Sequence, residues 1–218
     1  TAFLDAGGEV EAIEGVARDI SERKRAEERM RLLHGLADVM NEAENVESAL
    51  EAAISRVCAA TGWEMGEAWM PRAEGSPPEC AAVWSRRAEE ARGLADAGRA
   101  APGGGFVEKC WKKGTAVWIP DVSTDPDYDR KDMAEKLDLH SASVIPVLAG
   151  TEMAALLVFY AAEKRGEDRG FLQLVSTVAA GLGSVVRRKH AEVALRNAEE
   201  RFRSIAESTH DAVVVADG

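Results

Sequence analysis

Seven residues in the middle of the chain, Trp84, Trp111, Trp118, Asp121, Tyr128, Arg130 and His140, combine flat apolar walls with a few charged groups. That mixture suits a small-molecule pocket, where aromatic surfaces desolvate a ligand and a small number of polar atoms orient it. Arg130 would favour an anionic group through a charge-assisted pair, and Asp121 would steer the loop that carries Tyr128 and Arg130. The competing reading makes the tryptophans core and the charges solvated. The residue types alone leave both open.

Other chemistry has weaker support. Gly103, Gly104 and Gly105 are followed by Phe106, Val107 and Glu108, whereas a nucleotide-binding loop needs Gly-Lys and then Ser or Thr to place a cation and a metal-binding hydroxyl. They read as a turn that opens a short helix, whose free NH groups suit an anion. His210-Asp211 has the order of a phosphoacceptor pair, but the β-branched Val213, Val214 and Val215 after it say strand. Ser123, Ser141 and Ser143 lack a nucleophile-elbow setting, and His34 and His190 lie among helix charges with no identifiable acid-base partner. Cys58, Cys80 and Cys110 are odd in number and widely spaced, so they read as buried reduced thiols rather than a metal or disulfide framework. No catalytic or metal site is expected.

With 38 acidic against 27 basic residues, the net charge of −11 repels a phosphate backbone, and nucleic acid is not an expected partner. The basic clusters at Arg23–Arg25 and Arg187–His190 sit on helix surfaces, where charge is usually solvated. The longest apolar run, Met153–Ala162, is too short to cross a bilayer as a helix, and no cationic-then-apolar leader opens the sequence. The expectation is a soluble cytoplasmic chain whose 46% hydrophobic content is ample for a core.

The elements that would position the central residues can be read from periodicity. TAFLD and EVEAIEGVARDI read as a hairpin turned at Gly7 and Gly8, passing into a helix capped by Ser21 with a stripe at Ala26, Met30, Leu33, Ala37 and Met40. VESALEAAISRVCAATG is a second helix stopped at Gly62, and WEMGEAWM and ECAAVW are strands around the turn-rich PRAEGSPP. A short helix over FVEKCWKK, a strand in TAVWIPDV and a polar loop with a short helix in DPDYDRKDMAEKLDL follow. SASVIPVLAGTEMAALLVFYAA reads as an apolar hairpin, and one long helix is expected from about Glu167 to Glu207. On that helix Val175, Val178, Leu182 and Val185 keep coiled-coil spacing, and so do Ala191, Leu195, Ala198, Phe202 and Ile205, with a one-residue phase break through Arg188. The stripe is either a dimer seam with two competing phases or an ordinary amphipathic helix.

Taken together, these motifs carry a family likeness. GEVEAIEGVARDISERKRAEE resembles the last strands and exit helix of a PAS sensor domain, and RFRSIAESTHDAVVVADG resembles the start of another. Between them, GWEMGEAW, PGGGFVEKCWKKG, VWIPDV, SASVIPVL and MAALLVFY resemble, in order, the motifs of a GAF domain from bacterial multidomain signalling proteins. The resemblance implies an α+β fold, a central antiparallel sheet with helices packed around it, and long terminal signalling helices. It divides the chain into a PAS tail at 1–21, a linker helix at 22–30, a GAF domain at 31–187, a linker helix at 188–207 and a PAS start at 208–218.

The same resemblance implies a non-catalytic regulatory segment of a histidine-kinase-like or cyclic-di-nucleotide signalling protein. It would bind a small cytoplasmic ligand, dimerise through its terminal helices and act on a distant output domain. Bilin-binding relatives carry Cys-His where this chain has Asp129-Arg130, which leaves no thiol for covalent attachment. Cyclic-nucleotide-binding relatives carry a signature of which only Glu163-Lys164 and Glu167-Asp168 stand here. Two alternatives remain, a ligand-free dimerising spacer and a haem sensor using His140. The ligand is unknown, with Trp84, Trp118, Asp121, Tyr128, Arg130 and His140 as its expected contacts.

Overall fold

The computed structural model describes residues 2–4, 10–13, 35, 42–73, 75–87 and 106–214. The chain divides into two compact units, residues 1–31 and 32–218. In the first, β1 (Ala2–Leu4) pairs antiparallel with β2 (Val10–Ile13), so the expected hairpin is present, with an irregularity after Phe3. The expected cap at Ser21 and the stripe from Ala26 to Met40 lie outside the described residues, as does the glycine run at 103–105.

The second unit is built on one five-stranded antiparallel sheet. Its strands are β3 (Met65–Pro71), β4 (Pro78–Ser85), β5 (Val117–Ile119), β6 (Ser141–Ala149) and β7 (Glu152–Ala161), in the order β4-β3-β7-β6-β5. Strands β6 and β7 form the expected hairpin, paired from Ser141↔Ala161 to Ala149↔Glu152, and Gly150 (φ 78°) supplies the left-handed turn residue. Central β7 is buried along most of its length, which explains why its sequence is a near-continuous apolar run.

One face of the sheet is covered by α1 (Val46–Thr61) and the first half of α4 (Arg169–Val214). Helix α1 starts in a capping box, with Ser48 N donating to Asn45 Oδ1 at 2.8 Å and Asn45 N donating to Ser48 Oγ at 3.2 Å. It ends at Gly62, whose φ of 71° is disfavoured for residues with a Cβ and whose N–H reaches the Cys58 carbonyl. Leu50, Ala53, Ile54 and Val57 of α1 are fully buried against Ile145, Leu157 and Phe159 of the sheet. Each such large side chain contributes ~1.5–3 kcal/mol.

Helix α4 begins where the Asp168 carboxylate accepts the amide hydrogens of Gly170 and Phe171 at 2.8 and 3.0 Å. Val175, Val178, Leu182 and Val185, one half of the heptad-like stripe, are buried against the chain's own sheet. That half is therefore not a dimer seam. Ala191, Leu195 and Ala198 are exposed, with Leu195 at 62%. The phase break between the two halves falls where α4 changes from a sheet partner to an outward face.

Helix α4 runs on through Val214, so Ser208–Val214 are helical where the sequence predicts a strand. Valine costs only a few tenths of a kcal/mol in a helix, and propagation adds one hydrogen bond per residue. Among the described residues, Arg169–Glu192 is the one helix long and apolar enough to cross a membrane. Half of that window is buried inside the domain.

The other face of the sheet carries α2 (Phe106–Lys113), α3 (Lys131–Lys136) and the loop between β5 and α3. Met65, Trp69, Leu156, Val158 and Tyr160 of the sheet meet Phe106, Val107, Val122, Tyr128 and Ala134 there. The sheet thus separates two cores of different character.

Candidate functional site

Strand alternation decides which of the sequence-selected residues share a face. On β3, Met65, Glu67 and Trp69 point to the loop side, while Gly66 and Ala68 lie against α1. Glu67 is 1% exposed, a carboxylate in the middle of an apolar strand. Such a group is retained only when paired and hydrogen-bonded.

Its partner comes from the loop. Arg130 Nη1 lies 2.6 Å from Glu67 Oε2 and Nη2 lies 2.9 Å from Oε1, a forked pair. Arg130 Nη1 also donates to Tyr160 Oη at 2.8 Å, Tyr160 Oη donates to Glu67 Oε2 at 3.2 Å, and Trp69 Nε1 donates to the same carboxylate at 2.9 Å. The guanidinium sits 5.3 Å from the centre of the Trp69 ring. Burial by itself would favour neutral Arg130, but Tyr160 and Glu67 outweigh it and hold the guanidinium firmly charged. Burial keeps the Tyr160 phenol protonated, raising it well above its ordinary value against the pull of Arg130.

Tyr128 completes the cluster from the loop side. Its ring packs edge-on to Phe106 at 5.1 Å and is 1% exposed, and burial raises its phenol too. Tyr128 Oη and Ser143 Oγ are buried oxygens that make no hydrogen bond of good geometry among the described residues, although the Tyr160 phenol lies close enough to Tyr128 to interact with it. A buried hydroxyl of this kind costs about 1–3 kcal/mol until something bonds it. The loop itself is anchored by Asp129, which accepts the Phe106 amide hydrogen at 3.1 Å, and by Lys109–Asp127 at 2.7 Å.

The structure brings together only two of the six expected contacts, Tyr128 and Arg130. Trp118 lies on the opposite face, edge-on to Trp63 at 5.5 Å and to Phe171 at 6.0 Å, with its Nε1 donating to the Arg165 carbonyl at 2.8 Å. Trp84 packs against that same helix-side core. Asp121 pairs with Lys164 at 2.6 Å and accepts from Ser123 N and Oγ, so it fixes the start of the loop. Lys164 and then Ser123 hold its carboxyl far below the usual carboxylate range. His140 is 42% exposed and its Nε2 lies 3.1 Å from Asp138 Oδ1.

The arrangement bears on two chemical expectations. An anion at Arg130 would compete with a carboxylate that already takes both guanidinium nitrogens. A haem reading fits poorly, because the His140 nitrogen it would use is at the surface beside Asp138. Glu67, Trp69 and Tyr160 escaped the sequence reading. The available signal was the lone carboxylate in MGEAWM, which demands a cation from elsewhere in the chain.

The domain thus combines an antiparallel sheet with a helical layer on one side and a loop-covered buried polar cluster on the other. The sequence profile of the GAF domain matches residues 43–187, and the chain belongs to that family. Domains of this family are typically small-ligand sensing or signalling modules.

Solved structures agree on the fold. The GAF domain of a phosphoenolpyruvate-protein phosphotransferase from Coxiella burnetii superimposes with a TM-score of 0.65 at 20% identity, covering 78% of this chain and 98% of that one. A domain of a two-component sensor histidine kinase from Sinorhizobium meliloti 1021 gives 0.55 at 15% identity over 71% and 99%. The free methionine-R-sulfoxide reductase of Neisseria meningitidis gives 0.60 at 18% identity over 82% and 98%. A comparison with curated proteins gives no match.

Proposed function

We propose that this chain is the sensor segment of a multidomain cytoplasmic signalling protein, a histidine kinase or a cyclic-di-nucleotide enzyme. It binds a small molecule on the loop-covered face of the GAF sheet and acts on an output domain through α4. The observation that carries this reading is the buried Tyr128 hydroxyl, which makes no hydrogen bond of good geometry beside the Glu67–Arg130–Tyr160 group although the Tyr160 phenol is near it. A ligand with a hydrogen-bond acceptor satisfies that hydroxyl, and its charge is neutral because Glu67 and Arg130 already neutralise each other. Dimerisation belongs to the same reading, through the segment 22–30 that the sequence reads as a linker helix and the exposed Ala191, Leu195 and Ala198 face of α4.

The test is a thermal-shift screen of neutral and anionic metabolites on the wild type and Tyr128→Phe. The expected result is a neutral compound that raises the melting temperature of the wild type and does so less in the variant. Equal shifts in both proteins would place the ligand elsewhere. A ligand-free dimerising spacer is the second reading, favoured by the closure of the Arg130 fork on the protein's own carboxylate. Native mass spectrometry with no bound mass, together with an empty screen, would select it.

A further inference from the structure

The loop that carries Tyr128 and Arg130 and the segment that starts α4 meet at one side chain. Ser141, the first residue of β6, is fully buried. Its Oγ lies 3.0 Å from the Pro120 carbonyl, at the root of the loop, and 2.6 Å from the Glu163 carbonyl, in the connection between β7 and α4. It also accepts the Arg165 amide hydrogen at 2.7 Å. A hydroxyl has one hydrogen, so the two carbonyls compete for a single donor.

Two further ties join the same segments. Lys164 reaches Asp121 at 2.6 Å, and Trp118 Nε1 donates to the Arg165 carbonyl at 2.8 Å. Arg165 is itself fixed, with Nη2 donating to the Gly62 carbonyl at 3.0 Å and its guanidinium 5.4 Å from the Trp63 ring centre. Three residues later Asp168 caps α4. Displacement of the loop root therefore acts on the start of α4 through polar contacts that cross the edge of the sheet.

We propose that the Ser141 hydroxyl, backed by the Asp121–Lys164 pair, is a positioning relay that couples the loop of residues 121–130 to the N-terminal turns of α4. The proposal rests on the reading of Glu67, Arg130 and Tyr128 as the sensing face, but its test needs no ligand. Hydrogen exchange is followed on the whole chain for wild type, Glu67→Gln, Ser141→Ala and the double variant. Glu67→Gln loosens the loop by weakening its fork to Arg130.

The expected result is an increase of about fivefold in α4 exchange over residues 169–178 on Glu67→Gln, in the range usual for coupled sites. In the Ser141→Ala background the same substitution should raise α4 exchange clearly less, because only the Asp121–Lys164 and Trp118–Arg165 ties remain, while the loop still loosens. An equal rise at α4 in both backgrounds, or no rise in either, overturns the relay. If Ser141→Ala fails to fold, Lys164→Met cuts the second tie and takes its place. If Glu67→Gln fails, Glu67→Gln with Arg130→Met removes the buried charge from both sides. A relay without any ligand in the metabolite screen would leave this inference standing and the sensing reading refuted.

Discussion

Glu67 on β3 and Arg130 at the head of α3, 63 positions apart in sequence, form a forked ion pair at 2.6 and 2.9 Å between the sheet and the loop that covers it. Removing either partner leaves the other buried and unpaired, which costs about 3–5 kcal/mol. Glu67→Ala and Arg130→Ala should each lose stability on that scale in urea unfolding. Glu67→Met with Arg130→Met should recover most of it. A double variant no more stable than the singles would show that the pair contributes more than mutual compensation.

Helix α4 passes close against β6 at Gly183, where an added Cβ would overlap the Leu148 carbonyl group. The obstacle is backbone and cannot swing aside. Gly183→Ala should cost about 1–3 kcal/mol, as overpacking usually does. Gly166→Ala, with open space around it, should change little in the same melting experiment.

Alkaline pH should destabilise the domain. Burial raises the Cys110 thiol from 9.0 to about 11 and pushes Cys58, Tyr128 and Tyr160 upward as well. A raised acid holds its proton longer folded than unfolded, so its contribution is complete below the unfolded pKa and is lost as pH climbs toward the folded one. Stability should fall from about pH 9, by at most ~1.4 kcal/mol per pH unit for each group. Cys110→Ala should flatten the slope between about pH 9 and 11. An unchanged slope would assign the loss to the other groups.

The two halves of the α4 stripe should respond oppositely to charge. Val178→Glu places a carboxylate in the core, where Val178 is 1% exposed, and should unfold the domain. Leu195→Glu alters a side chain that is 62% exposed and should leave the melting temperature unchanged. Sedimentation of Leu195→Glu then reads the dimer: a shift from dimer to monomer supports the helix as an interface, and no shift argues against it.

Much of the domain was legible in the residues because its signals are local. The stop at Gly62, the hairpin turn at Gly150 and the apolar run of β7 each follow from neighbours within a few positions, whereas the capping box at Asn45 and Ser48 was seen only in the structure. The strand predicted beyond Ser208 fails where a weak local preference meets a long helix already propagating. Similarly, the stripe on α4 told its period but not its partner, because a sheet and a second helix demand the same apolar spacing.

The candidate site was legible only in part, and the reason is geometric. Composition and order alone determined that aromatic and charged residues gather between Trp84 and His140, whereas the burial of the Glu67 carboxylate in MGEAWM emerged only from the structure. Which residues share a face was decided by tertiary structure. The period of a strand is two, so sequence assigns alternation without saying which side is which, and pairing across the sheet put Trp84 and Trp118 under the helices and turned Glu67 and Tyr160 toward the loop that carries Tyr128 and Arg130. The union of Glu67 with Arg130 and Tyr160 depends on contacts 63 and 30 positions apart, and only the closed sheet brings those atoms together.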